Sequence, residues 1–302
     1  MARKRSSSGL DGLLLIDKPA GWTSHDVVAR VRRLAAQPRA GHTGTLDPFA
    51  TGLLVVCLGR ATRLAEYLTA HEKVYVGEVV LGAETDTGDA DGQVVARGEV
   101  PGLDEAMLGR VAARFTGRIK QVPPAFSAVK VGGRRAYDLA RRGEAVELAP
   151  RAVDVFDLRL DWAGERRLRM TVRCGPGTYV RSLARDLGRE LGCGAHLAAL
   201  RRMRSGRLGV EDAWELGALE RLAAAGRVAE AAIPSDEGLM DWDAAVIGAG
   251  GAGAFVRGAA YVAGRAARVA RRARVYGIDG EFLGVGAVEE GGAVRPVKVL
   301  VG

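Results

Sequence analysis

The sequence predicts an α+β protein followed by a small all-β module. Three observations lead there. Apolar runs of strand character alternate with amphipathic stretches of helical spacing, but without the regular beat of a doubly wound sheet. Val153 to Leu160 and Leu168 to Cys174 read as two neighbouring strands that pair with each other. Beyond about residue 240 the chain turns rich in Gly, Ala and Val, with short strands and tight turns such as Ile278-Asp279-Gly280-Glu281. A length of 302 residues fits two domains.

Taken in order, residues 1–9 are a basic, Ser-rich tail expected to be disordered. Leu10 to Asp17 is a first strand and Lys18 to Trp22 a turn. Thr23-Ser24-His25-Asp26 then has the form of a capping box, opening a helix whose Val27, Val28, Val31 and Leu34 recur at helical spacing. Leu53 to Leu58 is a buried strand, and Leu64, Ala65 and Leu68 mark a helix. Val74 to Leu81, rich in β-branched residues, is a strand, and Ala83 to Gly92 an acidic, Gly-rich loop. Leu103, Met107, Val111 and Phe115 mark another helix. Gly175-Pro176-Gly177 breaks the chain before a helix carrying Val180, Leu183, Leu187 and Leu191, and the Leu-rich run around His196 reads as helical too. The expected division is residues 10–240 for the larger domain and 244–302 for the β module.

A net charge of +8 favours a polyanionic partner. Only six of the 44 basic residues are Lys, and Arg suits phosphates and base edges because its planar fork donates paired hydrogen bonds. Residues 244–302 hold eight basic and four acidic residues, half of the chain's excess charge. Their densest basic run, Arg265 to Arg274, is a candidate nucleic-acid contact. Cys57, Cys174 and Cys193 are isolated, which speaks against disulfide and zinc frameworks. No run is long enough to span a membrane, and the N-terminal stretch lacks the apolar core of a secretory signal. A reducing cytoplasm is the expected location.

The chemistry centres on Gly41-His42-Thr43-Gly44-Thr45-Leu46-Asp47-Pro48-Phe49-Ala50-Thr51-Gly52. Small, turn-forming residues surround one carboxylate and one imidazole, and an apolar strand follows at once. The segment reads as a rigid loop presenting Asp47. By local chemistry alone an Asp-Pro is usually an ordinary turn. The whole string, however, resembles the catalytic motif of the TruB-type tRNA pseudouridine synthases. Further boxes resemble the same family in the same order: Asp17 to Val28, Lys73-Val74-Tyr75, Gly177 to Leu183, and Leu191 to Arg202. The tail, with Phe255-Val256-Arg257-Gly258 and Asp279 to Gly286, is similar to a PUA RNA-binding domain.

The resemblance implies a pseudouridine synthase catalytic domain with a mixed, largely antiparallel sheet crossed by the active-site cleft, and a C-terminal PUA-like β-barrel. It implies isomerisation of uridine 55 in the tRNA T loop: the N1–C1′ bond breaks, the base turns, and a C5–C1′ bond forms. Nothing is exchanged with a co-substrate, so no cofactor or metal is expected, and the chain lacks Gly-rich nucleotide loops and His/Cys metal clusters. Asp47 is the implied catalytic carboxylate, either attacking C1′ or removing a C2′ proton. Arg181 is its implied partner, since a buried carboxylate needs a cation or hydrogen bonds to stay charged. Tyr75 is the implied ring against the uracil and helps remove the C5 proton. His42, Tyr179, Leu200 and Lys18 are the implied substrate-binding residues, His42 by helping to extract the uridine. His25 and His196 read as structural.

A base within a folded loop must flip out to reach Asp47, at a cost of a few kcal/mol. Arg201, Arg202 and Arg204, with Arg268, Arg271 and Arg272 of the basic module, are the expected RNA-backbone contacts, so binding should weaken steeply with salt. The implied partner is the T arm of tRNA, bound by a monomer without guide RNA or obligate protein partner. Two rivals stand beside this reading: a non-catalytic RNA-binding or RNA-folding protein, and an RNA-guided synthase of the dyskerin type.

Overall fold

A computed structural model describes residues 9–127, 129–131, 133–140, 142, 148–262 and 269–301. The first strand, β1 (Gly12–Lys18), is apolar without alternation because both of its faces are covered. Leu14 and Ile16 face one core, Leu13 and Leu15 the other. Helix α1 (Ser24–Leu34) begins at the expected capping box, with Thr23 and Asp26 each accepting from the other's backbone N–H. Then come β2 (Ala40–His42), β3 (Thr51–Leu58), a 3₁₀ turn, α2 (Ala65–Thr69) and β4 (Lys73–Leu81). The acidic Gly-rich segment opens with β5 (Ala83–Thr85), which pairs with β6 (Val94–Arg97). Helix α3 (Glu105–Arg114) is capped by Asp104 and leads to β7 (Gly117–Gln121). A small hairpin of β8 (Lys130–Val131) and β9 (Arg134–Arg135) precedes α4 (Ala136–Ala140). The two strands expected to pair do so, antiparallel, as β10 (Arg151–Trp162) and β11 (Arg167–Cys174). Helix α5 (Val180–Glu190) follows the Gly-Pro-Gly break as expected.

The Leu-rich run after α5 is a strand, β12 (Ala195–Ser205), and not the helix its composition suggests. Ala, Leu and Arg favour helices in isolation. Here β4 pairs along the run's length and β3 joins it at Arg201 and Arg202. Two register shifts along β12 break the two-residue alternation that would have announced a strand. His196 accordingly lies on this strand, its Nδ1 2.9 Å from the carbonyl of Ala83.

After β13 (Leu208–Gly209), β14 (Trp214–Glu215) and α6 (Leu216–Ala224), the ten-stranded main sheet is complete. Its order is β14-β1-β3-β12-β4-β11-β10-β7, with β2 on β3 and β13 on β12. Only β1–β14 and β3–β12 are parallel, so the sheet is mixed and largely antiparallel as expected. One face packs on α1, α3, α5 and α6.

The C-terminal segment comprises β15 (Ala244–Ile247), α7 (Ala249–Val256), β16 (Tyr261–Val262), β17 (Ala270–Gly277), β18 (Phe282–Val288) and β19 (Ala293–Val299). The strands form a sheet ordered β15-β17-β18-β19-β16. The expected barrel is not closed among the described residues: β15 and the two-residue β16 stand as its edges. Val285 and Leu300 join this module to the other face of the main sheet, packing with Leu13, Leu15, Tyr67 and Leu68. Arg272 stacks on Tyr67 and Trp242 at this junction. No helix among the described residues is long and apolar enough to cross a membrane.

Candidate active site

The Asp47 loop is fixed from behind by the first sequence box. Ser24 Oγ accepts from the N–H of Leu46 at 2.8 Å and donates to the Leu46 carbonyl at 3.1 Å. Lys18 is wholly buried, and its ammonium donates to the carbonyls of Pro19, Trp22 and Pro48 at 2.9, 2.7 and 3.1 Å. Burial lowers its pKa to about 8. The structure thus places Lys18 behind the loop, tying two turns together, rather than on the cleft wall. Gly52, at the loop's far end, has φ +96°, and a Cβ there would stand 2.3 Å from the Arg202 carbonyl oxygen. Only glycine lets β3 approach β12 this closely.

A cleft of about 270 Å³ opens in front of the loop. Asp47, Tyr75, Tyr179, Arg181, Leu200 and Arg202 all line it. Arg181 grips Asp47 with both arms of its fork, Nε to Oδ2 at 2.8 Å and Nη2 to Oδ1 at 3.1 Å. The other arginine N–H groups reach the carbonyls of Thr87 at 2.8 Å and Phe126 at 2.9 Å, and Asp89 Oδ2 lies 3.5 Å from Nη1. The Arg181 side chain is 5% exposed, whereas about a third of the Asp47 side chain remains open to the cleft. Asp89, a buried acid in the Gly-rich segment, is a site residue that the sequence reading passed over as loop composition.

Tyr75 is buried on β4, and that burial raises its phenol pKa. The Arg202 guanidinium stands 6.0 Å from its ring centroid. Tyr179 is the N-cap of α5, with its N–H donated to Gln121 Oε1 at 2.8 Å. Leu200 is buried where β12 crosses the cleft. His42 sits on β2 beside the loop and is not among the residues lining this cleft. Its Nδ1 accepts from the Gly44 N–H at 3.3 Å and its ring meets His25 edge to face at 5.4 Å. Burial first, then the charges of His25 and Arg202, lower its pKa to about 4, so the ring is neutral at pH 7.

The expected backbone arginines divide. Arg201 is held bidentate by Asp17 at 3.0 and 2.6 Å and is not among the residues lining this cleft. Arg202 is buried, bonded to the carbonyls of Leu53 at 2.6 Å and Gly44 at 3.1 Å, and belongs to the cleft wall. Arg204 is exposed and donates to the carbonyl of Arg207 at 3.2 Å. Arg271 is exposed, Arg272 is stacked at the module junction, and Arg268 lies outside the described residues.

A buried arginine holding an aspartate that is about a third open, with a tyrosine lining the same cleft and a mixed sheet beneath, marks a candidate active site of a definite class. Comparison with known proteins gives this class its name: the chain is a pseudouridylate synthase, an isomerase. Residues 32–180 match the TruB family pseudouridylate synthase N-terminal domain and residues 181–246 the tRNA pseudouridylate synthase B C-terminal domain, so the chain belongs to the TruB family. The tRNA pseudouridine synthase B of Chromohalobacter salexigens is 44% identical, covering 99% of this chain and 97% of its own. That of Leifsonia xyli is 54% identical over 230 residues, 73% of this chain and 76% of its own. Among solved structures, the crystal structure of a Cbf5-Nop10-Gar1 complex contains a chain similar at TM-score 0.74 and 25% identity, covering 99% of this chain and 88% of that one.

Proposed function

We propose that the protein converts uridine 55 in the tRNA T loop to pseudouridine, as a cytoplasmic monomer that needs neither guide RNA nor cofactor. The observation that carries this reading is the two-point grip of Arg181 on Asp47 at the cleft. Arg181 aims one carboxylate without blocking it, as a group that must meet the ribose of a flipped-out uridine requires. Asp47 then attacks C1′ or takes the C2′ proton as the N1–C1′ bond breaks. The base turns against Tyr75, C5 bonds to C1′, and Tyr75 helps remove the C5 proton. Tyr179 and Leu200 bound the ring, His42 assists extraction from beside the loop, and Lys18 serves the substrate indirectly by holding the loop. The segment from residue 244 onward, a PUA-like module in this reading, adds basic contacts to the RNA backbone. The names of the relatives, tRNA pseudouridine synthase B, support tRNA as the substrate.

The likeness to a chain from a Cbf5-Nop10-Gar1 complex favours one alternative, action only within a larger assembly. Tritium release from C5-labelled uridine in a bare tRNA transcript separates the two. The purified protein alone should release tritium, and Asp47→Asn should bind the RNA but release none. Binding without release by the wild type would reject the stand-alone reading; normal release by Asp47→Asn would reject the role of the carboxylate.

A further inference from the structure

Lys73 and Arg202 form a pair of buried cations on the cleft wall with no carboxylate bonded to either among the described residues. They stand on the adjacent strands β4 and β12, 6% and 2% exposed. Lys73 donates to the main-chain carbonyls of Thr69 and His71 at 2.6 and 2.7 Å, and Arg202 to those of Leu53 and Gly44 and also to the hydroxyl of Tyr75. Two like charges sealed together repel and are costly to desolvate. The Arg202 charge indeed adds to burial in lowering the Lys73 pKa to about 8. Such an arrangement is stabilised by an anion arriving between or before the two groups.

Their donors are not exhausted. The Lys73 ammonium has three protons and two carbonyl partners, and the Arg202 guanidinium has five N–H groups for two carbonyls and the Tyr75 hydroxyl. Both converge on Gly44 of the catalytic loop. A Cβ there would lie 3.5 Å from Arg202 Nη1 and 3.8 Å from Lys73 Cε. They are also deeper than Asp47, whose side chain is 34% exposed. Both line the same cleft as Tyr75, and Arg202 stands 6.0 Å from the ring centroid of Tyr75, against which this reading places the uracil, so the pair faces the base end of the bound nucleotide.

We propose that Lys73 and Arg202 are catalytic residues that contact the uracil ring and stabilise the negative charge it carries between bond breaking and bond making. The proposal rests on the reading of this cleft as a uridine isomerase site. When N1–C1′ breaks, its electron pair leaves with the base, and the uracilate spreads that charge over N1, O2 and O4. When C5 attacks C1′, the pair returns to the new bond and the charge disappears from the ring. The cations therefore act on the anion and its flanking transition states and little on the neutral uridine that binds first, which places their effect in the chemical step.

The test uses a T-arm RNA hairpin with uridine or 5-fluorouridine at the target, under single-turnover conditions, with N1–C1′ cleavage and RNA affinity measured on the same samples. Fluorine withdraws electrons and stabilises the departing anion by itself. Lys73→Met should cleave the uridine RNA about 100-fold more slowly, the usual loss for one donor to a developing anion, with affinity unchanged. Lys73→Arg should recover most of the rate, and the Lys73→Met loss should shrink several-fold on the 5-fluorouridine RNA. Unchanged cleavage by Lys73→Met would overturn the proposal. So would equal losses on both RNAs with weakened binding, which would assign the cations to a phosphate. Failure of the wild type to cleave either RNA would bring down the underlying reading and this proposal together.

Discussion

Two arginine forks each hold an aspartate by two hydrogen bonds, and they sit in opposite settings. Arg181 grips Asp47 at 2.8 and 3.1 Å with a side chain 5% exposed. Arg201 grips Asp17 at 3.0 and 2.6 Å with a side chain 40% exposed. Bond geometry alone does not distinguish them. The surroundings do: Arg181 is also bonded to the carbonyls of Thr87 and Phe126 and pairs with Asp89, whereas water reaches Arg201. An exposed pair contributes about 1 kcal/mol or less. Removing one side of a buried network leaves an unanswered charge and costs several times that. Burial of the arginine, more than the fork itself, makes one pair part of a packed network at the cleft and the other a brace that water reaches.

That contrast can be broken first at its strongest point. Arg181→Met leaves Asp47 and Asp89 without their shared cation and should lower stability by about 3 kcal/mol while abolishing turnover. Urea denaturation would show the loss as an earlier midpoint with unchanged slope, and an unmoved midpoint would mean that the buried network is not holding the site together. A smaller effect tests the loop that carries Asp47. The His42 pKa is lowered from 6.5 to about 4, so between those values the unfolded chain binds more protons than the folded one, and stability falls as pH drops through that window. Protonated Nδ1 can no longer accept from Gly44. His25 and Arg202 are the charged groups acting on the ring, and both disfavour the cation. The wild type should therefore lose about 1 kcal/mol more than His42→Asn on acidification, discounted for the solvent that reaches the ring. Parallel pH profiles for the two proteins would contradict this. Asp17→Asn should show the smallest effect, a stability loss of about 1 kcal/mol or less in the same urea experiment.

Much of this candidate site is legible in the sequence. Asp47, Tyr75 and Arg181 lie in three separate boxes, and the fold brings all three to one cleft. The capping box at Thr23 and the pairing of β10 with β11 were readable because both are local patterns. What escaped was non-local. Asp89 looks like one acid among several in a Gly-rich segment, and only the approach of α5 makes it a partner of Arg181. The strand β12 is composed of helix formers and is held extended by β4 and β3. That error of element hid a second fact. On a strand, Arg201 and Arg202 point to opposite faces, so adjacent arginines that look like one basic patch are in truth a surface brace and a buried cleft wall. Lys18 likewise lies in a box that bears on the site, but it acts on the backbone of the loop.

Asp47→Asn and Asp17→Asn, compared side by side in single-turnover pseudouridine formation on T-arm RNA with RNA affinity measured for both, separate the two aspartates. Each substitution removes the charge from one bidentate aspartate and keeps its shape. Asp47→Asn should lose about 10⁴-fold or more in rate, at the upper end of what a positioned acid–base group supplies, whereas Asp17→Asn, whose carboxylate is held by a 40% exposed arginine and does not line this cleft, should stay within about twofold of wild type. Comparable losses in the two variants, or a functional Asp47→Asn enzyme, would contradict this.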